Sequence, residues 1–148
     1  MRKKGPISET TEITVAFYDV DLVAVAWHGH YLKYLEDARW VLMERIGYGF
    51  EAMKGSGYLW PVIEAHLRYI RPARFGDRLA VTASLVEWQN RIAINYLIAD
   101  AARKTRIARA RTVQVAVHAA TGELQFVSPA GIVRAVQRSL ATAQRAHA

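Results

Sequence analysis

The sequence predicts an α+β fold in which one curved antiparallel sheet wraps a single long helix. Apolar and polar residues alternate at 12–18, apolar residues recur with helical spacing at 30–46, and a series of alternating segments follows from residue 61. Consecutive strands joined by short turns pair antiparallel, and an amphipathic helix of this length has to bury its apolar stripe against the sheet. A chain of 148 residues is long enough for one domain with a substantial core.

The first predicted strand is segment 12–18, in which Ile13, Val15 and Phe17 share the face that we expect to be buried. Residues 1–10 include basic side chains but lack the apolar segment of a secretory signal. We expect residues 1–10 to form a flexible N-terminal arm, and residues 11–148 to form a single domain that ends in a C-terminal helix.

The long central helix is predicted over residues 30–46. Its apolar positions recur at helical spacing, and they are Tyr31, Leu35, Ala38, Leu42 and Ile46. Gly47 follows as a C-terminal stop, because glycine adopts the left-handed conformation that commonly ends a helix. A glycine-rich loop with a short helical turn is expected next, up to Tyr58.

The remaining strands are predicted from alternation and from the turns between them. They lie at 61–70, 78–88, 91–100 and 106–119, with a further short strand at 124–127. Pro72 and Gly76 mark the turn before the second of these strands, and Gln89-Asn90 joins the second to the third. Ser128 and Pro129 are typical of a helix start, so a short amphipathic helix should end the domain.

Composition limits the possible classes of function. The chain has no cysteine, which excludes disulfides and thiolate chemistry, and a metal would have to be held by histidines and carboxylates. The formal net charge of +7 favours contact with a polyanion, namely nucleic acid, anionic lipid, coenzyme A phosphates or an acidic carrier protein. The alternative is a solvated basic surface without any partner. No apolar run is long enough to span a bilayer, and a cytoplasmic location is expected.

Two motifs carry chemical information. The first is Asp-x-Asp followed by the helix start, and its marked positions are Asp19, Asp21, Ala24, Ala26, His28, His30, Tyr31, Tyr34, Glu36 and Arg39. The second is the turn Arg-Pro-Ala-Arg-Phe-Gly-Asp at 71–77. Together they resemble the hotdog-fold acyl-CoA thioesterases of the 4-hydroxybenzoyl-CoA thioesterase branch, which includes the Tol-Pal-associated thioesterases. Ala24 and His30 depart from that family's pattern, which has glycine and asparagine at these positions.

The resemblance implies hydrolysis of acyl-coenzyme A or acyl-carrier-protein thioesters, a reaction of lipid metabolism, with Asp21 as the catalytic carboxylate. Asp21 would act as general base on water or as a nucleophile that forms a mixed anhydride. From the residues alone, the alternative is an aspartate that orders a turn or caps a helix. Backbone amides near His28, at the helix start, would hold the oxyanion, and the His28 side chain is a further catalytic candidate.

Three more polar residues are assigned supporting roles. Asp19 is expected to order the loop beside Asp21, and His30 to replace the family's asparagine contact at the turn into the helix. Glu36 is a second-choice acid, and its alternative role is to order the helix start or the dimer interface. His28 and His30 form a His-x-His pair without a third ligand at a suitable spacing, so no metal site is predicted.

Substrate contacts are predicted from aromatic and basic residues near these motifs. The candidates are Trp27, Tyr31, Tyr58, Leu59, Trp60, Arg71 and Arg74. By the resemblance, segment 58–60 would approach the acyl group from a partner subunit, and the arginines would bind phosphate. Packing roles remain the alternative for Leu59 and Tyr31.

Other functions were considered beside hydrolysis. A hotdog dehydratase or hydratase pairs a histidine with an acid in a different placement, and a non-catalytic acyl-thioester binding module would keep the pocket without turnover. Nucleic-acid binding would rest on charge alone, because no recognised motif supports it. The resemblance implies a homodimer or homotetramer that needs no cofactor, with coenzyme A or phosphopantetheine as part of the substrate.

Overall fold

The computed structural model describes residues 4–146, and these form an α+β structure. Its strands are β1 (Ile7–Thr14), β2 (Tyr58–Leu59), β3 (Val62–Tyr69), β4 (Arg78–Glu87), β5 (Ile92–Asp100), β6 (Arg106–Gln114) and β7 (Val117–His118). Its α-helices are α1 (Tyr31–Ile46), α2 (Phe50–Gly55) and α3 (Ala130–Ala146). Two short 3-10 helices lie between β1 and α1, at Phe17–Asp19 and His28–His30.

The main sheet has five antiparallel strands in the order β1-β4-β5-β6-β3. Helix α1 packs on β1 and β4, and its buried face includes Leu35, Ala38 and Leu42. The sheet residues beneath it include Ile94 and Tyr96, which are also buried. The expected arrangement of one antiparallel sheet around a long helix is therefore confirmed.

The predicted central helix is confirmed within one residue of its start. It ends where expected, because Gly47 has φ +86° and its amide donates to the carbonyl of Glu44. The predicted helical turn in the following loop is α2. The tail helix is also confirmed, but α3 has 17 residues rather than the short segment expected.

The first strand begins earlier and ends earlier than predicted. Residues 7–10 pair with β4, so the expectation of a flexible arm up to residue 10 is wrong for them, and the part of that prediction at residues 1–3 lies outside the described residues. The strand stops at Thr14, and Phe17 is 78% exposed instead of buried. The alternation of apolar and polar residues in the sequence continues past Thr14 because the 3-10 helix Phe17–Asp19 also carries aromatic residues.

Three later predictions about the strands are wrong in part. Strands β3 and β4 are consecutive but do not pair, because the 71–77 turn carries the chain from one side of the sheet to the other, where β4 joins β1. The predicted strand 106–119 is interrupted, and its end forms β7, which pairs with β2 in a separate two-stranded sheet. The predicted strand at 124–127 is reduced to one bridge, between Val117 and Leu124.

Between Lys4 and Ala146, none of the helices is both long enough and apolar enough to cross a bilayer.

Candidate active site

The loop that carries both aspartates is anchored to α1 through Asp19. The Asp19 carboxylate is buried and accepts hydrogen bonds from Lys33 Nζ at 2.7 Å, Tyr34 Oη at 2.9 Å and the Ala16 amide at 3.4 Å. Burial acts to raise the pKa of the Asp19 carboxyl, but the bonds from Lys33 and Tyr34 outweigh it and hold the pKa below its ordinary value. Asp19 is therefore ionised and fully occupied by protein partners.

Asp21 lies in a different environment, at the exposed tip of the same loop. Its Oδ1 accepts the amides of Val23 at 2.9 Å and Val25 at 3.4 Å, which is the turn-ordering contact considered from sequence. No protein hydrogen bond is assigned to Oδ2 in the described residues. The carboxylate is thus positioned by one oxygen, and the other is accessible to water or substrate.

The loop closes on itself before it reaches the helix. The Trp27 amide donates to the Asp19 carbonyl at 2.9 Å, and Val20 forms a bridge with Ala26. The Ala24 amide donates to the Asp21 carbonyl at 3.0 Å, and Ala24 has φ +59°. That positive φ is the conformation that a glycine would adopt at lower cost.

The two sequence motifs meet at this loop. The Ala26 amide donates to the Ala73 carbonyl at 2.8 Å, the Phe75 amide donates to the Ala24 carbonyl at 3.1 Å, and Val25 forms a bridge with Arg74. The turn at 71–77 therefore stabilises the aspartate loop through backbone hydrogen bonds.

The start of α1 offers backbone donors beside the loop. His28 and Gly29 begin the 3-10 helix that leads into α1, and the first amides of a helix have no intrahelical acceptor. The Tyr69 hydroxyl donates to the His28 carbonyl at 2.7 Å and fixes this segment against β3. A Cβ at Gly29 would lie 2.2 Å from the Trp27 ring, so glycine is required for the indole to pack there.

A pocket of about 300 Å³ opens at this helix start. It is lined by Val25, Ala26, His28, Tyr31, Tyr69, Ile70, Arg71 and Pro72. Asp21 lies next to this pocket, because the amide of Val25, a lining residue, donates a hydrogen bond to Asp21 Oδ1. Tyr31 is buried in its wall, and its hydroxyl accepts the Ala73 amide at 3.2 Å. Burial raises the pKa of the Tyr31 hydroxyl, which is therefore neutral at physiological pH.

Some predicted site residues lie together at this pocket and others do not. His28, Tyr31 and Arg71 line it, whereas Trp27 is half-exposed. The Trp27 ring is tilted against His28, with ring centroids 4.8 Å apart, and edge-on to His30, with centroids 5.3 Å apart. Arg74 is exposed on the supporting turn.

The segment 58–60 lies in a separate place within this chain. Tyr58, Leu59 and Trp60 line a second, mostly apolar pocket of about 240 Å³, together with residues of α1 and α2. The structure of the single chain therefore does not bring these residues to the aspartate loop.

Glu36 also lies apart from the pocket at the helix start. Its Oε1 accepts Trp40 Nε1 at 2.9 Å and contacts the Arg39 guanidinium, which is buried. These contacts on α1 indicate a role in the helix rather than in chemistry at the pocket.

The sequence did not identify three residues that shape the site. Tyr69 and Ile70, at the end of β3, line the pocket, and Lys33 holds Asp19. Tyr69 stands two residues before the 71–77 motif, and this spacing is the signal that could have identified it. In the part of the chain from 4 to 146, no group of three or more His, Cys, Asp or Glu side chains is arranged to hold a metal ion.

Comparison with known proteins gives a consistent result. Residues 15–140 match the family described as the thioesterase-like superfamily. The chain is 32% identical over 75 residues to the long-chain acyl-CoA thioesterase FadM of Escherichia coli, an alignment that covers 51% of this chain and 56% of FadM. It is 31% identical over 70 residues to the 1,4-dihydroxy-2-naphthoyl-CoA hydrolase of Thermosynechococcus vestitus, covering 47% and 48%. The chain spans about half the length of the curated relatives it matches.

Solved structures extend the likeness over most of the fold. The 1,4-dihydroxy-2-naphthoyl-CoA thioesterase Slr0204 from Synechocystis superposes with a TM-score of 0.78 at 22% identity. The superposition covers 88% of this chain and 96% of that one. The α+β fold is therefore the hotdog fold of these thioesterases; the Tol-Pal-associated branch is not distinguished from the others.

Proposed function

The chain belongs to the thioesterase-like superfamily, and we propose that it hydrolyses acyl thioesters to a free acid and a thiol, with Asp21 as the catalytic carboxylate. The acyl group is carried by coenzyme A or by the phosphopantetheine of a carrier protein. The observation that carries the proposal is the contrast between the two acids: Asp19 is buried among protein donors, whereas Asp21 is exposed beside a pocket at a helix start.

The reaction needs a base, an oxyanion site and a leaving thiolate. A water molecule gives a proton to Asp21 while its oxygen attacks the carbonyl carbon of the thioester. The carbonyl oxygen becomes negative and is held by the amides at His28 and Gly29, with the positive end of the α1 dipole behind them. The C–S bond then breaks, and the thiolate takes the proton back from Asp21. The chemistry requires only water as co-reactant, so we propose that no cofactor takes part.

A nucleophilic role for Asp21 is the alternative within the same reaction. Oδ2 would attack the carbonyl carbon, expel the thiolate and leave a mixed anhydride that water hydrolyses. A single turnover in H₂¹⁸O identifies the anhydride route if ¹⁸O enters Asp21, which happens when water attacks the acyl carbon of the enzyme carboxyl. The general-base route puts ¹⁸O only in the free acid.

The other predicted residues have proposed roles around this reaction. His28 orients water or the carbonyl, His30 packs the helix start against Trp27, and Arg71 contacts phosphate at the pocket mouth. In a homodimer, segment 58–60 of a second copy completes the acyl pocket, which explains why this segment lies apart from Asp21 within one chain.

The decisive variant is Asp21→Asn, which keeps the turn-ordering oxygen but removes the base. We expect kcat for a panel of acyl-CoA and acyl-carrier-protein thioesters to fall by about 10²–10⁴, measured as free thiol released. Asp37→Asn, an exposed change of the same kind on α1, is the matched control and should retain activity. Undiminished turnover by Asp21→Asn would remove Asp21 from the mechanism. Hydration of an enoyl thioester without thiol release would indicate a hydratase instead.

A further inference from the structure

One face of the sheet beside the pocket carries a concentrated group of cations. His66 and Arg68 of β3 lie directly opposite Arg111 and Arg109 of β6. Tyr96 pairs with Ala110 and is buried on the side of α1. Because successive side chains in a strand alternate between faces, Arg109 and Arg111 point to the opposite side of the sheet. We call the surface formed by His66, Arg68, Arg109 and Arg111 the basic face.

Acidic residues are sparse around the basic face. Neither 65–76 nor 101–122 includes an Asp or Glu, and the acid of β3 is Glu64, two residues before His66 on the same side of the strand. The first segment has three Lys or Arg residues and the second has five, out of 20 in the whole chain. They are Arg68, Arg71, Arg74, Arg103, Lys104, Arg106, Arg109 and Arg111. The positive charge of the protein is therefore concentrated at one end of β3 and β6.

The cross-strand arrangement places like charges opposite each other. Like charges directly opposite each other in an antiparallel pair are destabilising, and Arg68 and Arg109 are such a pair. A second copy of this chain that packed face to face on the same surface would oppose arginine with arginine. The surface is electrostatically complementary to an acidic partner instead.

The basic face is adjacent to the pocket of the candidate active site. Arg68 immediately precedes Tyr69, which lines that pocket from the other side of β3. Arg71 also lines the pocket, and its Nη1 donates to the Arg106 carbonyl at 3.3 Å. A partner bound on the basic face would therefore hold a flexible arm at the pocket mouth, past the end of β3 at Ile70 and Arg71.

The extent of the surface favours a protein over a nucleotide. From Arg106 to Arg111 strand β6 extends over roughly 17 Å at about 3.3 Å per residue. On this face the residues paired with Arg109 and Arg111 are Leu97 and Asn95 in β5, followed by Thr82 and Ser84 in β4. None of them is a Phe, Tyr or Trp that would stack on adenine. A basic surface of this extent without a base-stacking ring suits an acidic helix.

We propose that the basic face docks an acidic carrier protein that presents the acyl group as a phosphopantetheine thioester, so that carrier-bound rather than coenzyme A-bound thioesters are preferred. The inference rests on the proposed thioesterase function and adds the delivery partner to it. Charge attraction speeds the encounter, and the pocket at the start of α1 receives the thioester at the end of the arm.

The test uses a charge reversal that should not harm the fold. In His66→Glu/Arg68→Glu, each new carboxylate faces an arginine across the strand pair, which favours β pairing. Arg134→Glu/Gln137→Glu on the exposed face of α3 is the matched control, because both variants lower the formal charge by three. Thermal unfolding and sedimentation of both variants check that fold and assembly are retained.

Three substrates with the same dodecanoyl chain are compared: a bacterial acyl carrier protein, coenzyme A and N-acetylcysteamine. We expect wild type to have the highest kcat/KM with the carrier protein. In His66→Glu/Arg68→Glu the ratio of kcat/KM for the carrier-protein thioester to kcat/KM for the uncharged N-acetylcysteamine thioester should fall at least about tenfold at low ionic strength. This loss should become smaller as the salt concentration rises. The control should keep the wild-type ratio within about twofold.

Two kinetic results would overturn the proposal. One is a wild-type preference for coenzyme A over the carrier protein. The other is an equal loss of kcat/KM with the carrier-protein and coenzyme A thioesters in His66→Glu/Arg68→Glu, because that pattern indicates recognition of phosphate alone.

Binding of the unacylated carrier, followed by fluorescence anisotropy, keeps the inference separate from catalysis. If wild type hydrolyses no thioester but binds the carrier through the basic face, the proposed function fails and the docking surface stands. Tighter binding of an oligonucleotide or of anionic vesicles than of the carrier would also contradict it.

Discussion

The two aspartates of the loop show how the surroundings of a side chain determine its use. Asp19 and Asp21 are two residues apart and have the same chemistry, but Asp19 is enclosed by Lys33 and Tyr34 while Asp21 meets only two backbone amides. The turn-ordering and catalytic interpretations of Asp21 are compatible, because Oδ1 is sufficient for the turn. The sequence located Asp21 through its motif, whereas the enclosure of Asp19 depends on where α1 packs and could not be deduced from spacing.

The strained backbone of Ala24 leads to a prediction about a single residue. It has φ +59°, and an Ala in this region costs about 1–2 kcal/mol, partly offset by the greater unfolded-state entropy of glycine. We therefore expect Ala24→Gly to raise the free energy of unfolding by about 0.5–1 kcal/mol, measured by urea denaturation. Ala141→Gly in the exposed part of α3 is the control and should lose about 1 kcal/mol. A loss of stability in both variants would contradict the strain assigned to Ala24.

The secondary-structure elements differ in how well the sequence predicted them. Helix α1 was predicted almost to the residue because its apolar stripe and Gly47 are local signals. The partner of β3 was predicted wrongly, because pairing with β6 is decided by the whole sheet and not by the turn that follows β3. The pocket was missed in part for the same reason: Tyr69 reaches the start of α1 only because β3 lies at the sheet edge.

The link between the aspartate loop and α1 should depend on pH. The pKa of Asp19 is lowered in the folded state, so its contribution to stability is complete above the unfolded pKa of about 3.9 and is lost as pH falls through the folded pKa. Asp19→Asn should cost about 1–3 kcal/mol at pH 7, because Tyr34 and Lys33 lose an ionised acceptor. The difference between wild type and variant should shrink below about pH 4 in urea denaturation.

Asp37→Asn, an exposed substitution on the same helix, serves as the control for the general effect of removing a carboxylate. A difference between wild type and Asp19→Asn that stays constant from pH 7 to pH 2 would show that the Asp19 charge does not fasten the loop to α1.

At the level of the whole molecule, the two sheet edges are chemically different. The outer edge at β1 carries acidic residues, including Glu9 and Glu12, whereas the edge at β3 exposes Val62 and Ile63, which are 47% and 54% exposed. An apolar, unpaired edge is a template for pairing with another chain. We therefore predict that the homodimer expected from the family resemblance forms through β3.

Ile63→Lys tests this assembly, because lysine on a strand edge opposes edge-to-edge pairing. We expect wild type to sediment as a dimer or larger assembly at micromolar concentration, and Ile63→Lys to shift toward monomer with loss of thioesterase activity. Phe126→Lys, at a residue 83% exposed and distant from β3 in the chain, should leave the assembly unchanged. A monomeric, fully active wild type would refute the role assigned to this edge.

The closure of the aspartate loop on itself has a consequence for how the protein can change. The bonds from Trp27 to Asp19 and from Ala24 and Val25 to Asp21 lie inside the loop, while one wall of the pocket, residues 69–72, is supplied by β3 and the turn after it. The proposed catalytic acid and this wall thus lie on separate parts of the chain. We expect directed evolution of residues 69–72 to change the acyl group that the pocket accepts while the loop keeps its geometry.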